Sequence, residues 1–172
     1  TPNAPDTENM FSRHGYLASV SAAEQSRSGK GTHGGELIAC KKYIHSTPID
    51  PTLLKTIEEH ATVPLRFASR IIRFKHLSVL FITTYLWCAE GFSERNISIL
   101  LQILMLIRIT NLPFFIVGDF NITANDFLQS EWPDKFKAEL IHPGAPSTTS
   151  QSANRPIDFA LICKTIKSMF RS

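Results

Sequence analysis

Apolar and polar positions change their spacing several times along the chain, and each change marks an element. The first 34 residues are small and polar, TPNAPDTENM and later SAAEQSRSGKGTHGG, with a short helix expected around Glu8 to His14 and loop beyond it. Gly35 to His45 (GELIACKKYIH) puts Leu37, Ala39 and Lys41 on one face and Ile38, Cys40 and Lys42 on the other, which predicts a strand with two apolar sides at its start. Pro48 to Pro51 is a turn, and TLLKTIEEH forms one or two helical turns that Pro64 ends. Two β-like runs come next, RFASRIIRF (66–74) and LSVLFITTYLW (77–87), and Lys75-His76 between them predicts an antiparallel hairpin. Gly91 breaks the pattern, and Ser93 is suited to cap a helix that ends near Ile109.

Pro113 restarts the chain as FFIVGDF, the continuous apolar run of a central strand buried on both faces. Thr123 caps a short helix (TANDFLQS), Trp132-Pro133 opens another helical turn, residues 140–152 are mostly loop, and Pro156 to Ile166 (PIDFALICKTI) is a last strand. Strands, one long helix and hairpins mixed with an αβ unit do not make the regular alternation of a doubly wound sheet. They predict a layered α+β or sandwich fold. The run Ile97 to Ile107 is too short to span a bilayer, and Arg108, Thr110 and Asn111 interrupt the chain just beyond it, so no stable membrane insertion is expected. A helix apolar on every side is expected to be buried on every side.

Composition narrows this further. With 172 residues, 43% of them hydrophobic and 19% charged, the chain has one domain's worth of core, and wholesale disorder is excluded. A net charge of +3 permits a polyanionic partner without demanding one. Three cysteines with no CxxC spacing exclude a disulfide scaffold and a zinc ribbon. Unpaired cysteines and the lack of an apolar run near Thr1 favour an intracellular location, and a first residue other than Met reads as a piece of something longer. No acidic residue occurs from Ala61 to Ala89, while Arg66, Arg70, Arg73 and Lys75 do. That run is either a solvated strand face or a surface for a nucleic-acid backbone.

Candidate chemistry collects at strand ends. Gly118-Asp119-Phe120-Asn121 ends the buried strand with an acid and an amide two residues apart, a spacing that in extended chain points both the same way. Such a pair can bind a cation or orient a water through Asp119 while Asn121 donates to an anionic oxygen; an ordinary turn explains the same residues. Asp158 opens the last β run, and Tyr85 lies near the end of the second hairpin strand. If those strands are neighbours, the three ends form one polar, acid-lined rim. RSGKGTHGG lacks the leading glycine of a phosphate-binding P-loop, the six histidines are dispersed, and the acceptor patterns at Asn96 and Asn121 read as chance.

FIVGDFN with a later IDF resembles the endonuclease/exonuclease/phosphatase superfamily, whose members include apurinic-site endonucleases, endonuclease domains of LINE-type retrotransposons, sphingomyelinases and inositol-polyphosphate phosphatases. Gly34-Gly35 looks like the entry to the family's early core strand, and Thr84-Tyr85 like its tyrosine motif. The resemblance implies a partial four-layer α/β sandwich, two packed and mainly antiparallel sheets flanked by helices. It divides the chain into a polar N-terminal segment (1–34) and an incomplete domain (35–172). It implies Mg²⁺- or Mn²⁺-dependent phosphodiester hydrolysis, with nucleic acid as the expected substrate and phosphatase or phospholipase chemistry as the alternative. By resemblance Asp119 holds the metal or activates the attacking water, Asn121 holds a phosphate oxygen, Tyr85 contacts the phosphate or nucleophile, and Asp158 orients the family's histidine. The family's metal-binding Glu and its final Ser-Asp-His have no counterpart here. Glu8 and Glu24 lie in loop-like sequence. A catalytically inactive remnant or interaction fragment therefore stays open, as does self-association through exposed apolar surface.

Overall fold

The computed structural model describes residues 4–25, 32–141 and 156–167. Helix α1 (Ala4–Arg13) leads into β1 (Tyr16–Ser21), then the short β2 (Glu24–Gln25) and β3 (Thr32–His33), β4 (Glu36–Lys41) and β5 (Ser46–Pro48). Next come α2 (Pro51–Glu59), the hairpin β6 (Phe67–Phe74) and β7 (Leu77–Tyr85), α3 (Glu94–Thr110) and β8 (Phe114–Asp119). The chain continues through α4 (Ala124–Gln129), α5 (Trp132–Phe136), β9 (Ala138–Ile141), β10 (Asp158–Cys163) and α6 (Lys164–Lys167).

Six strands form the main sheet in the order β5-β6-β7-β8-β10-β9, and β1 pairs with β4 in a separate two-stranded sheet. Every ladder is antiparallel except β7–β8, and that parallel pair is joined through α3, the kind of long crossover a parallel pair requires. The result is an α+β sandwich of two packed sheets flanked by helices, as the sequence pattern predicts.

Alternation sorts the main sheet into two faces. Leu80, Ile82, Phe114, Ile116, Phe159 and Leu161 are buried in one cluster with Ile99, Leu100, Ile103 and Leu106 of α3. The other face meets the small sheet. Ser93 accepts from the Asn96 N–H and starts α3, and Asn111 ends it in a left-handed conformation (φ 49°) with its N–H on the Ile107 carbonyl.

Four expectations need correction. The last strand, expected over 156–166, ends at Cys163, and Lys164–Lys167 turn into α6. Residues 15–34, read as loop, contain β1, whose half-buried alternation of Leu17, Ala18, Ser19 and Val20 pairs across to β4 from Tyr16↔Lys41 to Ser21↔Glu36. The weak polarity of that stretch hid a strand that small side chains allow to pack closely. Leu140 and Ile141, expected at the start of a loop, belong to β9, because the register Leu161↔Leu140 gives the sheet an edge partner. The helix α3 is not buried on every side: Leu101 and Ile109 are each 49% exposed. The rest of the loop expected over 140–152 lies outside the described residues.

Candidate active site

The ladders decide where the candidate residues sit. Asp119 ends β8 directly opposite Tyr85 of β7 on one side and Asp158 of β10 on the other. Residues directly opposite in a ladder share a face. Tyr85, Asp119 and Asp158 therefore sit side by side at one rim of the main sheet, on the face toward the small sheet. Arg66 and Thr83 belong to that same face, because Ala68 pairs with Thr83 in the β6–β7 register and Arg66 lies two residues earlier.

Backbone contacts fasten this rim. The Leu86 N–H donates to the Asp119 carbonyl at 3.0 Å, Phe120 N–H to Ile157 at 3.0 Å, and Ala124 N–H to Pro156 at 2.9 Å. Behind it lie Phe120 and Phe159, stacked at 4.0 Å and 8°, with Phe127 edge-on to Phe120 at 5.4 Å. Gly118 is required here: a Cβ would come within 2.0 Å of the Thr84 carbonyl oxygen.

Asn121 reaches the rim by a different geometry from the one its spacing predicts. The strand ends at Asp119, and Asn121 turns left-handed at φ 49°. Its N–H donates to Asp119 Oδ1 at 3.0 Å, and its Nδ2 donates to the Leu86 carbonyl at 2.8 Å. An Asx turn, not an extended strand, holds acid and amide together. One amide hydrogen is spent on Leu86 and the second remains to donate.

Burial pushes the Asp119 carboxyl above the usual carboxylate range; the Asn121 N–H lowers it in part and the Asp158 charge raises it. Glu36, the first residue of β4, behaves alike. Burial raises its carboxyl, the Thr83 hydroxyl and the Arg66 charge pull it back, and the field of Asp119 raises it again. Glu36 thus brings a third carboxyl from the facing sheet, one that sequence reasoning missed. The available signal was an acid next to Gly34-Gly35 at the head of an otherwise apolar strand.

The basic run is neither a solvated face nor a polyanion surface over its first half. Arg66 is 1% exposed and Arg70 3%. Arg66 Nε donates to the Tyr85 carbonyl at 3.1 Å, and its Nη1 meets Glu24 at 3.4 Å. Its guanidinium lies 3.8 Å from the Trp87 ring centroid, with Arg95 at 3.6 Å from the same ring. Arg70 donates to Ser46 Oγ at 2.9 Å, to the Ala18 carbonyl at 3.1 Å and to Ser19 Oγ at 3.0 Å, tying the two sheets together. Their four-residue spacing puts both between the sheets, while Arg73 and Lys75 are exposed. Glu24, expected in loop, lies in β2 as the partner of Arg66.

By resemblance a divalent cation would sit on Asp119. Among the described residues no group of three or more His, Cys, Asp and Glu side chains is arranged to hold a metal ion. Those residues do not by themselves complete such a site. Among the described residues no helix is long and apolar enough to cross a membrane.

No family model matches the chain, and no curated protein matches it. Solved structures do. The endonuclease domain of TRAS1, a telomere-specific non-LTR retrotransposon, aligns with a TM-score of 0.60 at 13% identity, over 88% of this chain and 69% of that one. The human nocturnin catalytic domain with bound sulfate aligns at 0.59 and 16% identity, over 92% of this chain and 64% of that one. An endonuclease/exonuclease/phosphatase family protein from Bacteroides thetaiotaomicron aligns at 0.53 and 15%, over 94% and 65%. The chain has an endonuclease/exonuclease/phosphatase-type fold, and it spans about two thirds of the length of these neighbours.

Proposed function

We propose that the rim of Tyr85, Asp119, Asn121 and Asp158 binds a phosphate ester, and that the chain is a phosphodiester-hydrolase domain directed at nucleic acid. The observation that carries this reading is the register: three paired strands set Tyr85, Asp119 and Asp158 in one row. Asp119, with its proton affinity raised by burial, accepts a proton from an attacking water more readily than an ordinary carboxylate. The unspent amide hydrogen of Asn121 and the Tyr85 phenol donate to phosphate oxygens as their charge grows. Asp158 lies beside Asp119, and its charge adds to the upward shift of the Asp119 carboxyl. With no three-ligand group among the described residues, these roles are assigned to side chains alone. Neighbours named as an endonuclease domain and as a mannosyl-6-phosphatase support phosphate-ester chemistry in general.

The test is nicking of supercoiled plasmid and hydrolysis of a chromogenic phosphodiester, with and without Mg²⁺, by the chain and by Asp119→Ala. Low turnover is expected, because the roles assigned here include a base, Asp119, and no general acid for the leaving group, and lacking one costs about 10²–10⁴-fold. Turnover that Asp119→Ala abolishes upholds the reading. Oligonucleotide binding without any Asp119-dependent turnover favours instead the inactive-remnant reading.

A further inference from the structure

At the end of the main sheet opposite the Asp119 rim lies an open cleft of about 930 Å³, a size suited to a small organic ligand. It is bounded by the last turn of α3, the start of β8, the end of α5 and the β10–α6 junction. Among the described residues four cations line it, Arg108, Lys135, Lys137 and Lys164, and no Asp or Glu does. Two of the four are partly neutralised from outside: Glu131 holds Lys135 at 2.6 Å, and Asp134 reaches Lys164 at 3.9 Å. Among the described residues no carboxylate forms an ion pair with Arg108 or Lys137. The rest of its lining is largely apolar, with Leu104, Ile107, Leu112, Phe114 and Phe136.

A second observation comes from the backbone. Four non-glycine residues have positive φ among those described, and two of them, Asn111 (49°) and Lys137 (54°), border this cleft. Lys137 closes α5 in the left-handed conformation, a place where glycine is the unstrained choice and a long side chain carries a conformational penalty. A lysine there lines the cleft at the expense of local backbone strain.

We infer that this cleft is a second ligand site, separate from the Asp119 rim, for a phosphate monoester whose organic part is small and apolar. Four cations less two external carboxylates leave about two uncompensated charges, which match a dianionic monoester better than a carboxylate or a diester. Arg108 offers the planar fork that takes two phosphate oxygens, and Lys137, also in the lining, a point charge. The apolar lining receives the alkyl or sugar carbons, which inorganic phosphate cannot supply. The monoester can be a free small molecule or the terminal phosphate of an oligonucleotide.

The experiment is calorimetric titration and thermal melting of the full chain at low salt with hexyl phosphate, hexanol, inorganic phosphate, and a short oligonucleotide with and without a 5′-phosphate. Hexyl phosphate is expected to bind and raise Tm, hexanol to do neither, and inorganic phosphate to bind more weakly. The double variant Arg108→Gln/Lys137→Gln should weaken hexyl phosphate by at least about tenfold. Lys137→Asn, which suits the left-handed corner, keeps the fold and should weaken it too. Asp119→Asn should leave this binding unchanged, which separates the cleft from the rim. A preference for the 5′-phosphorylated oligonucleotide over hexyl phosphate assigns the source to a strand end, and the reverse preference to a free ester. No binding of hexyl phosphate up to about 10 mM, an equal response to hexanol, or loss in Asp119→Asn with none in the cleft variants would overturn the inference.

Discussion

Gly118 lies so close to Thr84 that a single added methyl would collide with a carbonyl oxygen at 2.0 Å. That oxygen belongs to the backbone of β7 and cannot swing aside, so Gly118→Ala has to separate the two central strands. The expected cost is about 1–3 kcal/mol or more, read as a lower urea midpoint, together with a displaced Asp119. The neighbouring acid gives an opposite sign. Asp119 and Glu36 both titrate above the usual carboxylate range, chiefly through burial. The folded state therefore holds their protons more tightly than the unfolded state does. Their contribution favours the fold at low pH and is lost as pH rises from the ordinary carboxylate range through the raised values. Asp119→Asn removes one such charge, and its Oδ1 can still accept the Asn121 N–H. Urea denaturation at pH 4.5 and 7 should show this variant falling less steeply with pH, and gaining about 0.5–2 kcal/mol at pH 7. A variant less stable than the parent at pH 7 would mean that the carboxylate is held by a cation or donor. Arg66 teaches the same lesson in reverse: its type suggests a surface, and its surroundings (Glu24, the Tyr85 carbonyl and the Trp87 ring) make it an internal strut.

Between elements, one amide organises the link from β7 to α3. Asn96 is 0% exposed. It accepts from the Trp87 N–H at 2.7 Å and donates to the carbonyls of Trp87 at 3.1 Å and Gly91 at 2.7 Å. The loop it clamps carries Trp87, the ring between Arg66 and Arg95. Asn96→Ala forfeits three hydrogen bonds, each worth about 0.5–1.5 kcal/mol net, so a loss of about 2–4 kcal/mol is expected in chemical denaturation. Amide exchange in residues 87–91 should speed up well before the sheet opens. Elements with strong periodicity or clear punctuation, such as the β6–β7 hairpin around Lys75-His76 and α3 after Ser93, were legible from the residues alone. So was the shared rim, since Tyr85, Asp119 and Asp158 each stand at the end of a recognisable β run. What escaped was set by pairing partners far away in the chain. β1 is a strand because β4 is there to pair with it, and Glu36 joins the rim because the small sheet lies over the large one. Neither fact is local to the residues concerned, so no window along the chain contains it. At Asn121 the residues leave a turn and an extended strand equally open, and the structure takes the turn.

On the scale of the whole molecule, the two sheets and α3 enclose most of the apolar side chains; among those left outside, Met10, Tyr43, Phe74, Leu128 and Ile141 are scattered, while a second group lies along one helix. Ile97, Leu101, Met105 and Ile109 recur every four residues on α3, on one helical face. Leu101 and Ile109 are each 49% exposed, while Ile97 and Met105 are half-buried. A continuous apolar stripe on an outer helix favours contact with another apolar surface, since each large side chain buried is worth about 1.5–3 kcal/mol. The margins of the main sheet add little to this tendency. The edge strands β5 and β9 have only three and four residues, too short to recruit a partner strand effectively. Self-association, if driven by the stripe, should respond to charges placed on it and not to changes at the sheet edge. The double variant Leu101→Lys/Ile109→Lys leaves the buried face of α3 untouched, so the fold should survive with its melting temperature little changed. The expected result is a parent chain whose apparent mass in size-exclusion chromatography with light scattering grows with concentration, and a double variant that stays monomeric over the same range. A parent chain that is monodisperse and monomeric throughout would show that α3 tolerates its exposed stripe in water. A double variant that still associates would move the cause from this helix to another surface.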